Sequence, residues 1–238
     1  MGKIAKIVLS VLGIGVICFG LFIYFSFAGT PWNKIYYKYQ LKDYLANKYN
    51  EEMVITKSIY NFKDGKYGVQ AYPKNNPELK FSAWQHYDKT KQYRDYYPEA
   101  IWHQQINSEF KDILEEYYPD ATRKEFHGVM GISTEMNIQS EIPHYSEVEH
   151  FFTLVIHEDK KLEQEIKIAE VDRLYSLIKK IEEKDVTTDV LIVYRDKNVD
   201  SKNCEKYINI NMKDNRKYPT KEEIEEIYNE ELKRELFN

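Results

Sequence analysis

The chain has 238 residues, with 34 Lys and Arg against 39 Asp and Glu, two cysteines and 21 tyrosines. That balance excludes a chain built to neutralise nucleic-acid phosphate, which requires a basic excess. The first 28 residues hold two basic residues and no acidic one, so the remaining 210, with 32 against 39, are mildly acidic and long enough for two modest domains.

Ile7 to Phe27, IVLSVLGIGVICFGLFIYFSF, is a run of 21 residues without a charge, preceded by Lys3 and Lys6. As a helix it extends about 31 Å, close to the ~30 Å hydrocarbon core of a bilayer. A cleaved signal peptide has a shorter apolar core, so length favours a retained anchor; Ser26-Phe27-Ala28 nonetheless carries small residues at signal-peptidase spacing, and cleavage before Gly29 is the alternative. Cys18 follows an isoleucine and is flanked by apolar residues, which argues against lipid attachment. Lys34, Lys38, Lys42 and Lys48 beyond the run outnumber Lys3 and Lys6, so the charge rule does not decide orientation. A short tail followed by one apolar run is the layout of a signal-anchor, and the bulk of the chain is expected on the extracellular side. Tyr24, Phe25, Phe27 and Trp32 suit the outer interface. Cys204 is the only cysteine in the soluble part, so no disulfide is expected there.

After Pro31, residues Tyr36, Leu41, Tyr44, Leu45 and Tyr49 recur at helical spacing and predict an amphipathic helix ending near Asn50. MVITKSIYNF and KYGVQAY flank Asp64-Gly65, which predicts a hairpin with Phe62 opposite Tyr67, Tyr60 opposite Val69 and Ser58 opposite Ala71. ELKFSAWQHY, after the PKNNP turn, alternates as a third strand. Pro98 opens a helix to about Tyr118 with Trp102, Ile106, Phe110, Ile113 and Tyr117 on its apolar face. Residues 121–144 are the least readable, with strand-like composition and Gly128 and Gly131 as bulges or turns.

From His150 the pattern becomes strand, helix, strand: FFTLVIH, then LEQEIKIAEVDRLYSLIKKIEE with Leu162, Ile166, Val171, Leu174, Ile178 and Ile181 on one face, then TTDVLIVYRD. This order predicts a crossover within one sheet. KYININM is a further strand, and Thr220-Lys221-Glu222-Glu223 is a capping box that starts a last helix carrying Ile224, Tyr228 and Leu232. The expected class is α+β: an N-terminal transmembrane anchor over 1–28, a first domain of helix plus antiparallel three-stranded meander over 29–120, and a second small α+β domain over 121–238.

The motifs Gly29-x-Pro31-Trp32, Tyr44-Leu45, Tyr49, Tyr60-Asn61-Phe62-Lys63, Tyr67, Ala71-x-Pro73 and Asn76-Pro77-Glu78-Leu79-x-Phe81 resemble those of the YfjL-like family of membrane-anchored proteins of Bacillus and relatives. The resemblance covers roughly residues 29–85. It implies a membrane location and an α+β fold and transfers no catalytic residue.

Candidate chemistry is sparse. His144, His150 and His157 lie near Glu147, Glu149, Glu158 and Asp159, ligand types that suit zinc, yet their spacings match no helical His-x3-His or HExxH pattern. Cys204 lies in a polar stretch with no histidine nearby in sequence, and no nucleophile elbow or phosphate loop is present. Glu115-Glu116, Glu182-Glu183 and Glu222-Glu223 are adjacent on helices and point apart. The tyrosines coincide with the apolar periodicity at Tyr36, Tyr44, Tyr60, Tyr67 and Tyr117, which predicts core filling. No catalytic, cofactor-binding or metal residue is assigned and no cofactor is expected. The sequence supports an anchored extracytoplasmic binding module of the cell envelope, its partners the lipid bilayer through residues 7–27 and an envelope protein or wall component, with no nucleic acid. The rival reading is a metal-assisted envelope hydrolase using the His144–His157 region.

Overall fold

The computed structural model describes residues 2–88, 91–128, 132–136, 138, 140–148, 152–196, 205–211 and 218–233. Its first element, α1 (Lys3–Ala28), is long and apolar enough to cross a membrane, and none of that apolar stretch is buried against the protein. Gly29 ends it with φ +71° and ψ 158°, a positive-φ extended conformation that is open to glycine and closed to residues with a Cβ.

Two compact units follow from the contact pattern: Met1–Ala100 with Ser133–Ile142, and Ile101–Ile132 with Pro143–Asn238. In the first unit, α2 (Pro31–Tyr49) opens with proline at a position whose N–H has no helical partner. It buries Leu41, Leu45 and Tyr49, and Asn50 closes it in the left-handed region. The sheet is antiparallel in the order β1 (Met53–Asn61), β2 (Lys66–Pro73), β3 (Phe81–Gln85), β4 (Tyr93–Asp95). It therefore has four strands where the sequence predicts three, because β4 has only three residues and no alternation long enough to register. α2 packs on β1 and β2, and Val69, Ala71, Phe81 and Ala83 supply the apolar face beneath it.

The hairpin register differs from the predicted one by two residues. Tyr60 pairs with Tyr67 and Ser58 with Val69, closed by Asn61 opposite Lys66, with a bulge between Ile55 and Lys57. The Asn61 side chain explains the shift. Its Nδ2 donates to Asp64 at 2.6 Å and its Oδ1 accepts from the Lys63 N–H at 3.1 Å, so the chain reverses over the four residues from Phe62 to Gly65. Of these only Gly65 has positive φ, whereas a two-residue type I′ turn requires it at Asp64 as well.

α3 (Tyr97–Tyr117) contributes its first four residues to the first unit and the rest to the second. Its buried side chains advance in steps of four, Trp102, Ile106, Phe110 and Leu114, reaching Tyr118 just past the helix. The predicted continuation through Ile113 and Tyr117 is corrected: both are half-buried, because a strict i+4 progression drifts around the helix away from them. The second sheet runs β5 (Arg123–Gly128), β6 (Phe152–Glu158), β7 (Thr188–Arg195), β8 (Glu205–Ile210). β6 and β7 are parallel, joined by α5 (Lys167–Glu183) as the strand-helix-strand pattern predicts, and both outer pairs are antiparallel.

Helix α5 starts at Lys167, five residues after Leu162, yet the predicted apolar positions Val171, Leu174, Ile178 and Ile181 are buried. In the least readable stretch, 121–144, the strand-like residues form β5 and a single turn, α4 (Ile132–Glu135), follows; a 3-10 turn at Tyr145–Glu147 lies just beyond it. α6 (Lys221–Lys233) begins at the predicted capping box: the Thr220 N–H donates to Glu223 Oε2 at 2.8 Å, and the Glu223 N–H returns to Thr220 Oγ1 at 3.3 Å. Ile224 and Tyr228 are buried as expected, but Glu231 takes the place predicted for Leu232, accepting from the Tyr207 N–H at 3.2 Å.

Candidate functional site

The first unit carries a cleft of about 620 Å³, open to solvent, between the C-terminal half of α2 and the segment around β4. Its lining is polar: Gln40, Asp43, Tyr44, Asn47 and Lys48 from α2, Lys91, Gln92, Tyr93, Arg94 and Asp95 from the β4 segment, with Ser133 and Ile138. At its base lies Asp95, only 1% exposed. A buried carboxylate must be paired or saturated with donors, and this one is. Tyr44 and Lys48, one helical turn apart, donate to Oδ2 at 2.7 and 2.9 Å, while Tyr49 and the Tyr97 N–H donate to Oδ1 at 2.6 and 3.2 Å. The last of these bonds ties Asp95 to the first turn of α3, where a negative charge is favoured.

Burial, followed by the Asp95 charge, raises the pKa of the Tyr44 and Tyr49 hydroxyls far above the tyrosine range, so both remain donors. With all its contacts filled, Asp95 organises the cleft and has no lone pair positioned for general-base work. Glu99 is also buried and accepts from Ser133, at 2.8 Å from Oγ and 3.1 Å from the N–H. It thereby fixes the second wall.

The groups facing the opening are different. Tyr93 and Tyr44 place their rings 5.3 Å apart. Arg94, between Tyr93 and Asp95 on β4, faces the other side of the sheet, where its guanidinium stacks over Tyr87 at 4.1 Å and Tyr96 at 5.5 Å. The cleft offers aromatic surface, with amide donors and acceptors from Gln40, Asn47 and Gln92. This is the donor, acceptor and ring set that recognises a hydroxyl-rich ligand, as small-ligand clefts with a few placed polar groups do.

The second unit buries more charge in a closed form. Glu158, 3% exposed, and Glu170, 5% exposed, share Lys160 at 3.1 and 2.7 Å. Arg173 pairs with Glu170, approaches Glu158 at 3.5 Å and lies 4.0 Å over the Tyr118 ring. Tyr194 donates to Glu170 at 2.7 Å and meets Tyr228 at 2.8 Å. The Tyr118 hydroxyl and one Glu158 oxygen, both buried, lack a hydrogen bond.

The His144–His157 region of the rival reading is described only in part. Among the described residues no group of three or more His, Cys, Asp or Glu could hold a metal ion. His144 caps the 3-10 turn, its Nδ1 2.9 Å from Ser146 Oγ, and His157 sits on β6 opposite Arg123. Glu158 points into the charge cluster. Glu149, His150 and Cys204 lie outside the described residues, and Cys18 is exposed on α1. Sequence reasoning missed the His103–His127 pair, with rings 5.9 Å apart, because the two histidines are far apart in the chain. It missed Asp95 too, although Asp95-Tyr-Tyr-Pro98 ahead of an apolar helix carries the helix-start signal. Of the five tyrosines predicted to fill the core, Tyr67 is buried, Tyr44, Tyr60 and Tyr117 are half-buried, and Tyr36 is exposed.

Fold and cleft define an α+β chain with a long apolar N-terminal helix and a polar cleft in its first unit. Residues 4–90 match the family model of the YfjL-like N-terminal domain, so the resemblance carried by residues 29–85 is borne out over that part of the chain. No curated protein matches. The chain is also similar in structure to a DUF5037 family protein from Ruminococcus gnavus, with 14% identity, 81% of this chain and 97% of that chain covered, and a TM-score of 0.44.

Proposed function

We propose that this is a single-pass membrane protein whose α1 is retained as the anchor, whose two units lie outside the cell, and whose first unit binds a hydroxyl-rich envelope glycan in the Tyr44–Tyr93 cleft. The observation that carries the reading is the pairing of an unburied apolar helix with an open polar cleft in one unit. Water does not tolerate an exposed apolar surface of that size, whereas a bilayer does. The saturated Asp95 supports binding without turnover.

The rival metal-assisted hydrolase has no ligand cluster behind it among the described residues. Calorimetric titration of the full chain in lipid nanodiscs with an N-acetylglucosamine oligomer is expected to show saturable binding, weakened by Tyr93→Ala and Gln92→Ala. An unresponsive wild type overturns the reading. A reporter active only in the cytoplasm, fused after residue 238, is expected to be silent; activity would reverse the orientation.

A further inference from the structure

The last turn of α1 is not bare. The Trp32 ring lies 5.6 Å from Phe25, the Phe62 ring lies 5.5 Å from Phe27, and the Tyr60 hydroxyl reaches the Ser26 carbonyl at 3.4 Å. Gly29 is pressed against Tyr60 so closely that a Cβ there would meet the ring at 2.6 Å. The next residue is held as well, the Thr30 N–H donating to the Tyr67 hydroxyl at 2.9 Å. The first unit is therefore clamped to its helix with no free stalk between them.

Depth follows from these contacts. If the 21 uncharged residues from Ile7 to Phe27 fill the ~30 Å core, the turn Phe25–Ala28 lies at its outer edge, and any ring touching that turn lies in the headgroup layer. Trp32 and Phe62 are nevertheless more than half exposed, so their outer faces are offered to something other than this chain. Ile35, Tyr36 and Tyr39 extend the Trp32 face along α2 at helical spacing and are equally exposed. Lys34, Lys63 and Lys66 stand on the same elements with no ion-pair partner among the described residues.

We infer that the hairpin tip and the start of α2 form a collar that binds the lipid headgroup layer, the rings at the interface and the lysines on anionic headgroups, and holds the first unit on the bilayer. Continuity with α1 selects lipid as the occupant. A lone spanning helix is surrounded by lipid at that depth, and aromatic rings with adjacent lysines are the complement of an anionic interface. This inference rests on the reading of α1 as a retained anchor.

The test uses the full chain in nanodiscs of phosphatidylcholine with and without phosphatidylglycerol. A Phe62→Trp variant in a Trp32→Phe background is compared with Trp32→Phe alone, using lipids brominated along the acyl chain near the headgroup. The added indole at position 62 is expected to be largely quenched, and Lys34→Gln, Lys63→Gln and Lys66→Gln together are expected to abolish any gain in quenching from phosphatidylglycerol. Extraction by alkaline carbonate separates the two readings. A chain that washes out of membranes overturns the anchor itself. A chain that stays integral, with the added indole unquenched or crosslinked mainly to a second protein, overturns the collar alone.

Discussion

The two units bury acid and tyrosine in opposite ways. In the first, Asp95 is closed over by Tyr44, Tyr49 and Lys48, yet Tyr44 and Lys48 also line a cleft of about 620 Å³. In the second, Glu158, Glu170, Lys160, Arg173 and three tyrosines satisfy mainly one another in the interior. The first arrangement spends buried charge on shaping a surface. The second spends it on internal specificity, at the ends of the parallel strands β6 and β7, and a ligand would have to displace those ion pairs to enter.

The comparison breaks most readily at Glu170. Replacing it with alanine strips Lys160 and Arg173 of a shared buried partner, and a loss of about 3 kcal/mol is expected in the second unit's unfolding, followed by hydrogen exchange. A loss under about 1 kcal/mol would show that the cluster is solvated rather than closed.

Asp95→Ala should cost the first unit about 2 kcal/mol, because two buried hydroxyls and an ammonium lose their acceptor. It should also abolish glycan binding; retained binding would separate the cleft from its base. Gly29→Ala should cost about 1–2 kcal/mol in the first unit, since both φ and the Tyr60 ring oppose a Cβ. Thr220→Ala should cost the second unit about 1 kcal/mol, read in the same exchange experiment.

The smallest effect concerns pH. Burial, with a lesser contribution from His127, lowers the His103 pKa, against an opposing pull from Glu125. The fold thus prefers the neutral imidazole, and the contribution is complete above the ordinary histidine value of about 6.5 and is lost as pH falls below it. His103→Gln should reduce the drop in unfolding midpoint between neutral and mildly acidic pH. An unchanged drop would place the titration elsewhere.

What was legible in sequence follows from physical range. Local signals survived: the uncharged run of α1, the Pro31 start of α2, the Thr220–Glu223 box and the strand-helix-strand order around α5 depend on near neighbours in the chain. The hairpin register failed because a side chain, Asn61, set the loop where backbone turn preference alone gives the two-residue form. β4 was invisible because three residues carry no period. Asp95 was unreadable as the base of a cleft because its partners stand 46 to 51 residues away, and the helical pattern that places Tyr44 and Tyr49 inside does not say what they face. The collar was half legible: Trp32 has an interface ring's position in the chain, but Tyr60 and Phe62 reach α1 only through the fold.

Hydrogen exchange of the full chain in nanodiscs, with and without a soluble peptidoglycan fragment, tests the cleft most directly. Added protection is expected over residues 40–48 and 92–95 in the first unit, with the second unit unchanged. Protection confined to the second unit, or none at saturating glycan, would contradict the assignment of the cleft as the binding site.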